Sequence, residues 1–325
     1  MRIQVIGAGS WGLALARLLA NNGNDVALWC RDEDDPGQLR ATREQPDYLP
    51  GVKLPGAIDV TRAVDPDTEM AVLAVPSHAM RAVLENNPLG PHTAAVSVAK
   101  GIENNSLMRM SEVIAETAGP RPVAALSGPS HAEEVAHDLP ASVVIASEDA
   151  ATATLAQTAF FCKHFRVYTS PDLTGVELGG ALKNVVAIAA GACDGLALGD
   201  NAKAALLTRG LAEISRLGRE LGADPLTFAG LSGMGDLFVT CTSRHSRNRR
   251  LGEAIATGRT LEEYTATTRM VAEGVRTTRS AHALAHHLNV DMPITRAVHQ
   301  TLFEGVPVRE VLDELLIRGA KPERA

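Results

Sequence analysis

The sequence predicts an α/β chain, with a helix-covered parallel sheet in its first half and an all-helical second half. Three observations carry this expectation. Short runs rich in Val, Ile and Ala alternate with helical stretches up to about residue 174, a pattern that implies right-handed crossovers and a sheet buried on both faces. Beyond that point strand-like runs nearly vanish and long Ala/Leu/Arg helices take over. The chain has 325 residues, 45% of them apolar, enough for two domains with real cores and too apolar for a disordered chain. The expected division is 1–174 and 175–325.

In chain order, residues 3–6 form a compact strand and 11–22 a helix with Leu13, Leu15, Leu18 and Leu19 available for its buried face. Gly23 closes that helix as a residue free to turn left-handed. Asp25–Trp29 is the second strand. Residues 32–63 are rich in Pro and Asp with weak periodicity, and are expected as helix and loop excursions without a core strand. Four more apolar runs, 70–75, 94–98, 123–126 and 142–146, are strands with helices between most of them. In the second half the expected helices are 178–191, 202–221 ended by Gly222, one capped by Asp224 with Pro225 in its first turn, 273–288, 293–303 and 307–318.

Charge and composition narrow the function. There are 38 acidic and 31 basic side chains, a net charge of −7, which counts against broad nucleic-acid or anionic-membrane binding. The longest wholly apolar-or-Gly run, around 185–193, is shorter than the ~20 residues a membrane helix needs. The N-terminus lacks signal-peptide architecture, and Cys30, Cys162, Cys193 and Cys241 are isolated, without metal spacing. A soluble cytoplasmic protein with a small-molecule ligand is expected, with neither a nucleic-acid partner nor an integral membrane segment.

Gly7-Ala-Gly9-Ser10-Trp11-Gly12 is a G-x-G-x-x-G between a strand and a helix. Gly7 permits the tight turn, Gly9 lets backbone approach a pyrophosphate, and Gly12 allows close helix–sheet packing. The helix N-terminus offers free N–H groups to phosphates. Dinucleotide binding follows. Arg31, just past the second strand, suits a 2′-phosphate or adenine stacking, while Asp32 suits a ribose 2′-hydroxyl; NADP is favoured and NAD remains open.

Ligands of open parallel sheets bind beyond the carboxyl ends of the strands. Three strands end in distinctive chemistry: Pro76-Ser77-His78, Ala99-Lys100-Gly101 and Ser127-Gly128-Pro129-Ser130. Lys100 stands out in a chain with six lysines and 25 arginines. Gly128 and Ser130 could present an N–H and a hydroxyl; His78 fits a helix start better than a catalyst. In the helical half, Lys183 sits amid Ala181, Leu182, Val185 and Val186. Burial there would lower its pKa towards a range useful for proton transfer, against the alternative of a lysine snorkelling to solvent. Asp236, flanked by glycines, could pair with Lys183 or simply cap a loop. Arg244, Arg247, Arg249 and Arg250 form a local basic cluster suited to a small phosphorylated ligand, or else a solvated helix start. His282 and His286 share a helix face, but no third metal ligand is evident, so a structural face is expected.

In these residues the chain resembles the bacterial NAD(P)-dependent sn-glycerol-3-phosphate dehydrogenases over nearly its whole length. The matching blocks are GAGSWG at 7–12, YLPGVKLP at 48–55, VAKGIE at 98–103, SGPS at 127–130, ELGGALKNVVAIAAG at 177–191, NAKAALLTRGLAEISRLG at 201–218, SGMGDLFVTCTSRHSRNRRLG at 232–252 and VAEG at 271–274. The resemblance implies a Rossmann-like parallel-sheet N-terminal domain followed by an all-α, 6-phosphogluconate-dehydrogenase-like C-terminal domain. It implies reversible hydride transfer between NAD(P)H and dihydroxyacetone phosphate, without a metal, serving glycerophospholipid synthesis in a homodimer. By the same resemblance Ser10, Trp11, Arg31, Ala132, Val271 and Glu273 contact the dinucleotide. Lys100, Gly128, Ser130 and Asp236 surround the substrate, with Lys100 also at the cofactor, and Lys183 is the proton acceptor. Ser246, Arg247 and Asn248 hold the substrate phosphate, Arg247 reaching the cofactor too. Two positions depart from the family pattern: His131 stands where an aromatic residue is usual, and Leu13 where threonine is common.

Two other readings stay open on sequence. A 2-hydroxyacid or opine-type dehydrogenase would want a carboxylate or amine site, which the arginine cluster fits less well. A dinucleotide-binding redox sensor would need a partner or DNA surface, and no DNA-binding motif is apparent.

Overall fold

The computed structural model describes residues 1–267, 272–317, 319 and 322–323. Eight strands form one sheet: β1 Arg2–Ile6, β2 Asp25–Trp29, β3 Asp59–Thr61, β4 Met70–Leu73, β5 Ala94–Ser97, β6 Val123–Ser127, β7 Ala141–Ala146 and β8 Phe165–Ser170. Their order across the sheet is β3-β2-β1-β4-β5-β6-β7-β8. Every pairing is parallel except β6 with β7, which is antiparallel. Val5 of β1 lies between Leu28 of β2 and Val72 of β4, all three buried. That explains why these strands read as continuous apolar runs: both faces are covered. The first helix, Ser10–Asn21, buries Leu13, Leu15, Leu18 and Leu19 as its periodicity requires, each such side chain worth about 1.5–3 kcal/mol on burial.

Two strands are not among those expected from sequence. β3 falls inside 32–63, where only loop and helix were expected. It is three residues long at the sheet edge, and only Val60 is buried, so pairing with β2 makes it a strand where its pattern cannot. β8 is the opposite edge, with Phe165 and Val167 buried between exposed Arg166 and Tyr168.

β8 ends at Ser170, and Asp172 caps the long helix Leu173–Gly195, whose side chain accepts the Gly175 N–H at 2.8 Å. This helix begins five residues before the expected 178. It is also long and apolar enough to cross a membrane, which no run in the sequence suggested, but 78% of its apolar window is buried within the protein. The helices Gly199–Glu220, Asp236–Thr242, Arg247–Ala256 and Glu273–His287 pack round it. Contact with Arg247–Ala256 is backbone to backbone: a Cβ on Gly191 would lie 1.8 Å from the Arg249 carbonyl oxygen, and one on Gly252 1.8 Å from that of Ile188. Two expected ends shift. Pro293–His299 gives way to a π-helical turn over Gln300–Glu304, and the last helix is Val308–Leu316.

Candidate active site

The chain runs from β1 to β2 and β3 on one side, then returns to β4 on the other. The carboxyl ends of β1 and β4 therefore flank the point where strand order reverses, the place such sheets bind ligands. A cleft of about 420 Å³ opens there, with the helical half as its far wall. Gly7 turns the chain with φ of +118°, a left-handed conformation that side chains rarely adopt. Gly12 does not line the cleft; a Cβ there would sit 1.8 Å from the Gly7 carbonyl oxygen, so the helix packs flush beneath the turn. Gly9 borders the cleft with open space beside it, and no side chain caps the helix that follows. A pyrophosphate fits this cradle. The Trp11 indole N–H, buried at the same wall, finds no hydrogen-bond partner among the described residues.

Beyond the turn, Arg31 lines the cleft, but the acid beside it is not the expected one. Asp32 points outward to an exposed ion pair with Arg62, whereas Asp34 lines the cleft and grips Arg31. Ala132 and Glu273 also border the cleft. Glu273 begins the helix Glu273–His287 and accepts the Ser77 hydroxyl at 2.8 Å, a contact that joins the two halves. Burial pushes the Glu273 pKa above the ordinary carboxylate range. Val271 lies outside the described residues.

The three charged groups singled out in sequence meet at one place. The Lys183 ammonium, 5% exposed, donates to Asp236 Oδ1 and, at 2.7 Å, to the Thr240 hydroxyl. Lys100 donates to Asp236 Oδ2 at 2.6 Å and to the Gly128 carbonyl at 3.2 Å. Burial pushes the Lys183 pKa down to about 8; Asp236 opposes the shift and Lys100 adds to it. For Asp236, burial acts upward, but the two ammonium groups outweigh it and hold the carboxyl below its usual range. Lys183 and Lys100 face the cleft, while Asp236 lies beneath its wall. A π-helical turn, Leu231–Gly235, delivers Asp236 as the first residue of its helix, where it is no loop cap.

Gly128 is buried at the end of β6. It does not line the cleft, and its carbonyl accepts from Lys100 and, at 3.0 Å, from the Ser130 hydroxyl. Ser130 does line the cleft. His131 lies beside it, its ring 5.9 Å from that of His245, with burial holding its pKa below the usual value and Nε2 unpartnered among the described residues.

Arg247 starts the helix Arg247–Ala256 and reaches across the cleft, its Nη2 donating to the Ser10 hydroxyl at 3.0 Å. Ser246 caps that helix, accepting the Arg249 N–H at 3.2 Å. Asn248 is held on both sides, donating to Asn184 Oδ1 at 2.9 Å and accepting the Gly274 N–H at 2.9 Å. The rest of the arginine cluster divides: Arg249 pairs with Asp194 at 2.6 Å and serves packing. His282 stacks on His299, ring centroids 4.0 Å apart.

Two family signatures match consecutive parts of the chain, the NAD-dependent glycerol-3-phosphate dehydrogenase N-terminus over residues 2–153 and its C-terminus over 172–313. The chain belongs to the NAD-dependent glycerol-3-phosphate dehydrogenase family. Among relatives, the glycerol-3-phosphate dehydrogenase (NAD(P)+) of Pelotomaculum thermopropionicum is 52% identical, covering 99% of this chain and 95% of its own. That of Geobacillus kaustophilus is 51% identical, covering 99% and 96%. The crystal structure of glycerol-3-phosphate dehydrogenase from Coxiella burnetii superposes with a TM-score of 0.93 at 38% identity, covering 97% of this chain and 98% of its own. Thr240, Asn184, Asp34 and Tyr48 also line this cleft, and none of them stood out in the sequence.

Proposed function

We propose that the protein is an NAD(P)-dependent sn-glycerol-3-phosphate dehydrogenase, reducing dihydroxyacetone phosphate reversibly and preferring NADP modestly over NAD. The observation that carries this reading is the pair of lysines sharing buried Asp236, in the same cleft as the glycine turn and Arg247. When bound, the dinucleotide supplies the hydride for C2 of the ketone, or accepts it from the alcohol. Lys183 Nζ gives its proton to the C2 oxygen in reduction and takes it back in oxidation, a role suited to a pKa near neutrality. Lys100 offers a second fixed positive charge to the developing alkoxide. Asp236 touches both ammonium groups without reaching the cleft, so it is a positioning residue.

The substrate phosphate is assigned to the start of Arg247–Ala256, where Ser246, Arg247 and Asn248 line the cleft and the Arg247 guanidinium supplies the positive charge. Ser246 and Asn248 brace that turn. Because the phosphate is remote from C2, binding it orients the reacting carbon as well as adding affinity. The Arg247–Ser10 bond then couples the phosphate site to the dinucleotide turn. Trp11, Arg31, Ala132, Glu273 and, outside the described residues, Val271 are assigned to the cofactor, with Ser130 and Gly128 near the substrate. The division into domains 1–174 and 175–325, a cytoplasmic homodimer without nucleic-acid partners, and a place in glycerophospholipid synthesis belong to the same proposal.

The test is absorbance at the reduced-nicotinamide band with purified protein. Dihydroxyacetone phosphate should drive oxidation of NADPH and NADH, with 2-oxo acids inert. Binding of NADPH without turnover would instead make the protein a dinucleotide sensor, and turnover of 2-oxo acids alone would make it a hydroxyacid dehydrogenase.

A further inference from the structure

After β2 the chain makes a 3-10 turn, Asp32–Asp34, that folds one of the four consecutive acids Asp32, Glu33, Asp34 and Asp35 inward. Asp34 is 6% exposed, while Asp32 and Glu33 are on the surface. Its carboxylate accepts from Arg31 three times: Oδ1 from Nη2 at 2.8 Å, Oδ2 from Nε at 3.1 Å, and Oδ2 from the backbone N–H at 3.2 Å. The Tyr48 hydroxyl lies 3.5 Å from both Arg31 Nη2 and Asp34 Oδ1, and Trp29, Arg31, Asp34 and Tyr48 together form that end of the cleft. Arg31 is thus a fixed fork, not a free surface charge. Half its side chain, 54%, still faces outward.

We propose that Asp34 sets the choice between NAD and NADP, both by fixing Arg31 and by offsetting its charge where the adenosine ribose lies. This rests on the dinucleotide reading above. A ribose 2′-hydroxyl has a carboxylate acceptor in Asp34. A 2′-phosphate has the remaining guanidinium donors of Arg31, but it also meets the negative charge held directly behind them. The pair is electrically neutral, so the site admits both cofactors and the gain from Arg31 on the phosphate is limited. A lone arginine at this strand end would favour NADP far more strongly. Asp34 acts through Arg31 and through its own charge, so its signature is a ratio of cofactors.

The experiment is Asp34→Asn, which keeps an acceptor for Arg31 and removes the charge. The ratio of kcat/KM for NADPH to that for NADH should rise at least about tenfold, the lower end of measured coupling between close charge pairs. Glu33→Gln, the same charge change on the surface, should leave the ratio within about twofold of the parent. Equal loss with both cofactors in Asp34→Asn, or an unchanged ratio, would overturn the proposal and make Asp34 a brace for the turn. Asp34→Ser, still able to cap the turn, replaces the asparagine variant should that one not fold. Calorimetric affinity for adenosine 2′,5′-bisphosphate relative to ADP should rise by the same factor. That second readout needs no turnover, so an inactive protein would refute the proposed reaction while this ratio still decides Asp34.

Discussion

Replacing Asp236 by asparagine removes the carboxylate shared by Lys183 and Lys100 and leaves two ammonium groups facing each other under the cleft. The expected consequence is a displaced pH profile. At about 4 Å and an effective dielectric of about 20, losing one opposite charge costs the Lys183 ammonium about 4 kcal/mol. One pH unit corresponds to about 1.4 kcal/mol, so the ceiling is about three units, and the retained amide and entering water reduce it to at least about one. In the parent, Lys183 titrates at about 8. Reduction needs the ammonium, so its rate is full below that value and falls as pH rises through it. In Asp236→Asn the fall should begin at least about one unit lower, so that relative to the parent reduction at pH 7.5 is weaker by roughly threefold or more and recovers towards pH 6. Oxidation needs the neutral amine, so its acid limb should move the same way and oxidation at neutral pH should suffer less. The assay is kcat against pH in both directions. Equal losses in the two directions with an unmoved profile would refute the reasoning and reduce Asp236 to a packing contact.

Two further perturbations test other parts of the account. Arg247→Ala should lower kcat/KM for dihydroxyacetone phosphate by about 10- to 100-fold, as expected for a lost charge-assisted hydrogen bond. The KM for NADPH should rise as well, because Arg247 bonds Ser10, whereas reduction of unphosphorylated dihydroxyacetone should change little; an equal loss on both ketones would remove Arg247 from the phosphate site. Glu213, 2% exposed, accepts the N–H groups of Ile294 and Thr295, and burial pushes its pKa up to about 7 despite those bonds. The folded protein therefore binds a proton that the unfolded chain, at about 4.3, has lost; this contribution to stability is full below about 4.3 and lost as pH rises through 7. The Tm of Glu213→Gln relative to the parent should improve between pH 5 and 7.5, and a constant difference would contradict the assignment.

What the sequence made legible was local. The glycine turn, the leucine face of the first helix and the apolar setting of Lys183 each depend on residues within a turn or two of one another. Lys183 read as buried because its helical neighbours are apolar, and it is buried. Its partner Asp236 was a candidate, but Thr240, one turn beyond it, carried no signal until the chain folded across 57 residues. Asn184 escaped for the same reason, since it bonds Asn248 64 residues away, and Ser77, named at its strand end, had no visible partner until folding brought it Glu273 from 196 residues away. β3 was missed because a three-residue edge strand takes its conformation from β2. Asp32 and Asp34 show the limit most clearly. Both are acids after the second strand, and only the direction of a single turn decides which one enters the cleft.

The central claim is that Lys183 carries the proton, and Lys183→Ala tests it most directly when two quantities are read on one preparation. NADPH binding, followed by fluorescence, should survive, because the Gly7–Gly12 turn lies in the other half of the chain. Turnover, followed by absorbance, should fall in both directions by about 10²–10⁴-fold or more. Lys183→Arg should not restore it, since a guanidinium keeps its proton and has a different shape. An alanine variant that binds NADPH and still turns over within a factor of a few of the parent would make Lys183 a structural lysine and contradict the mechanism.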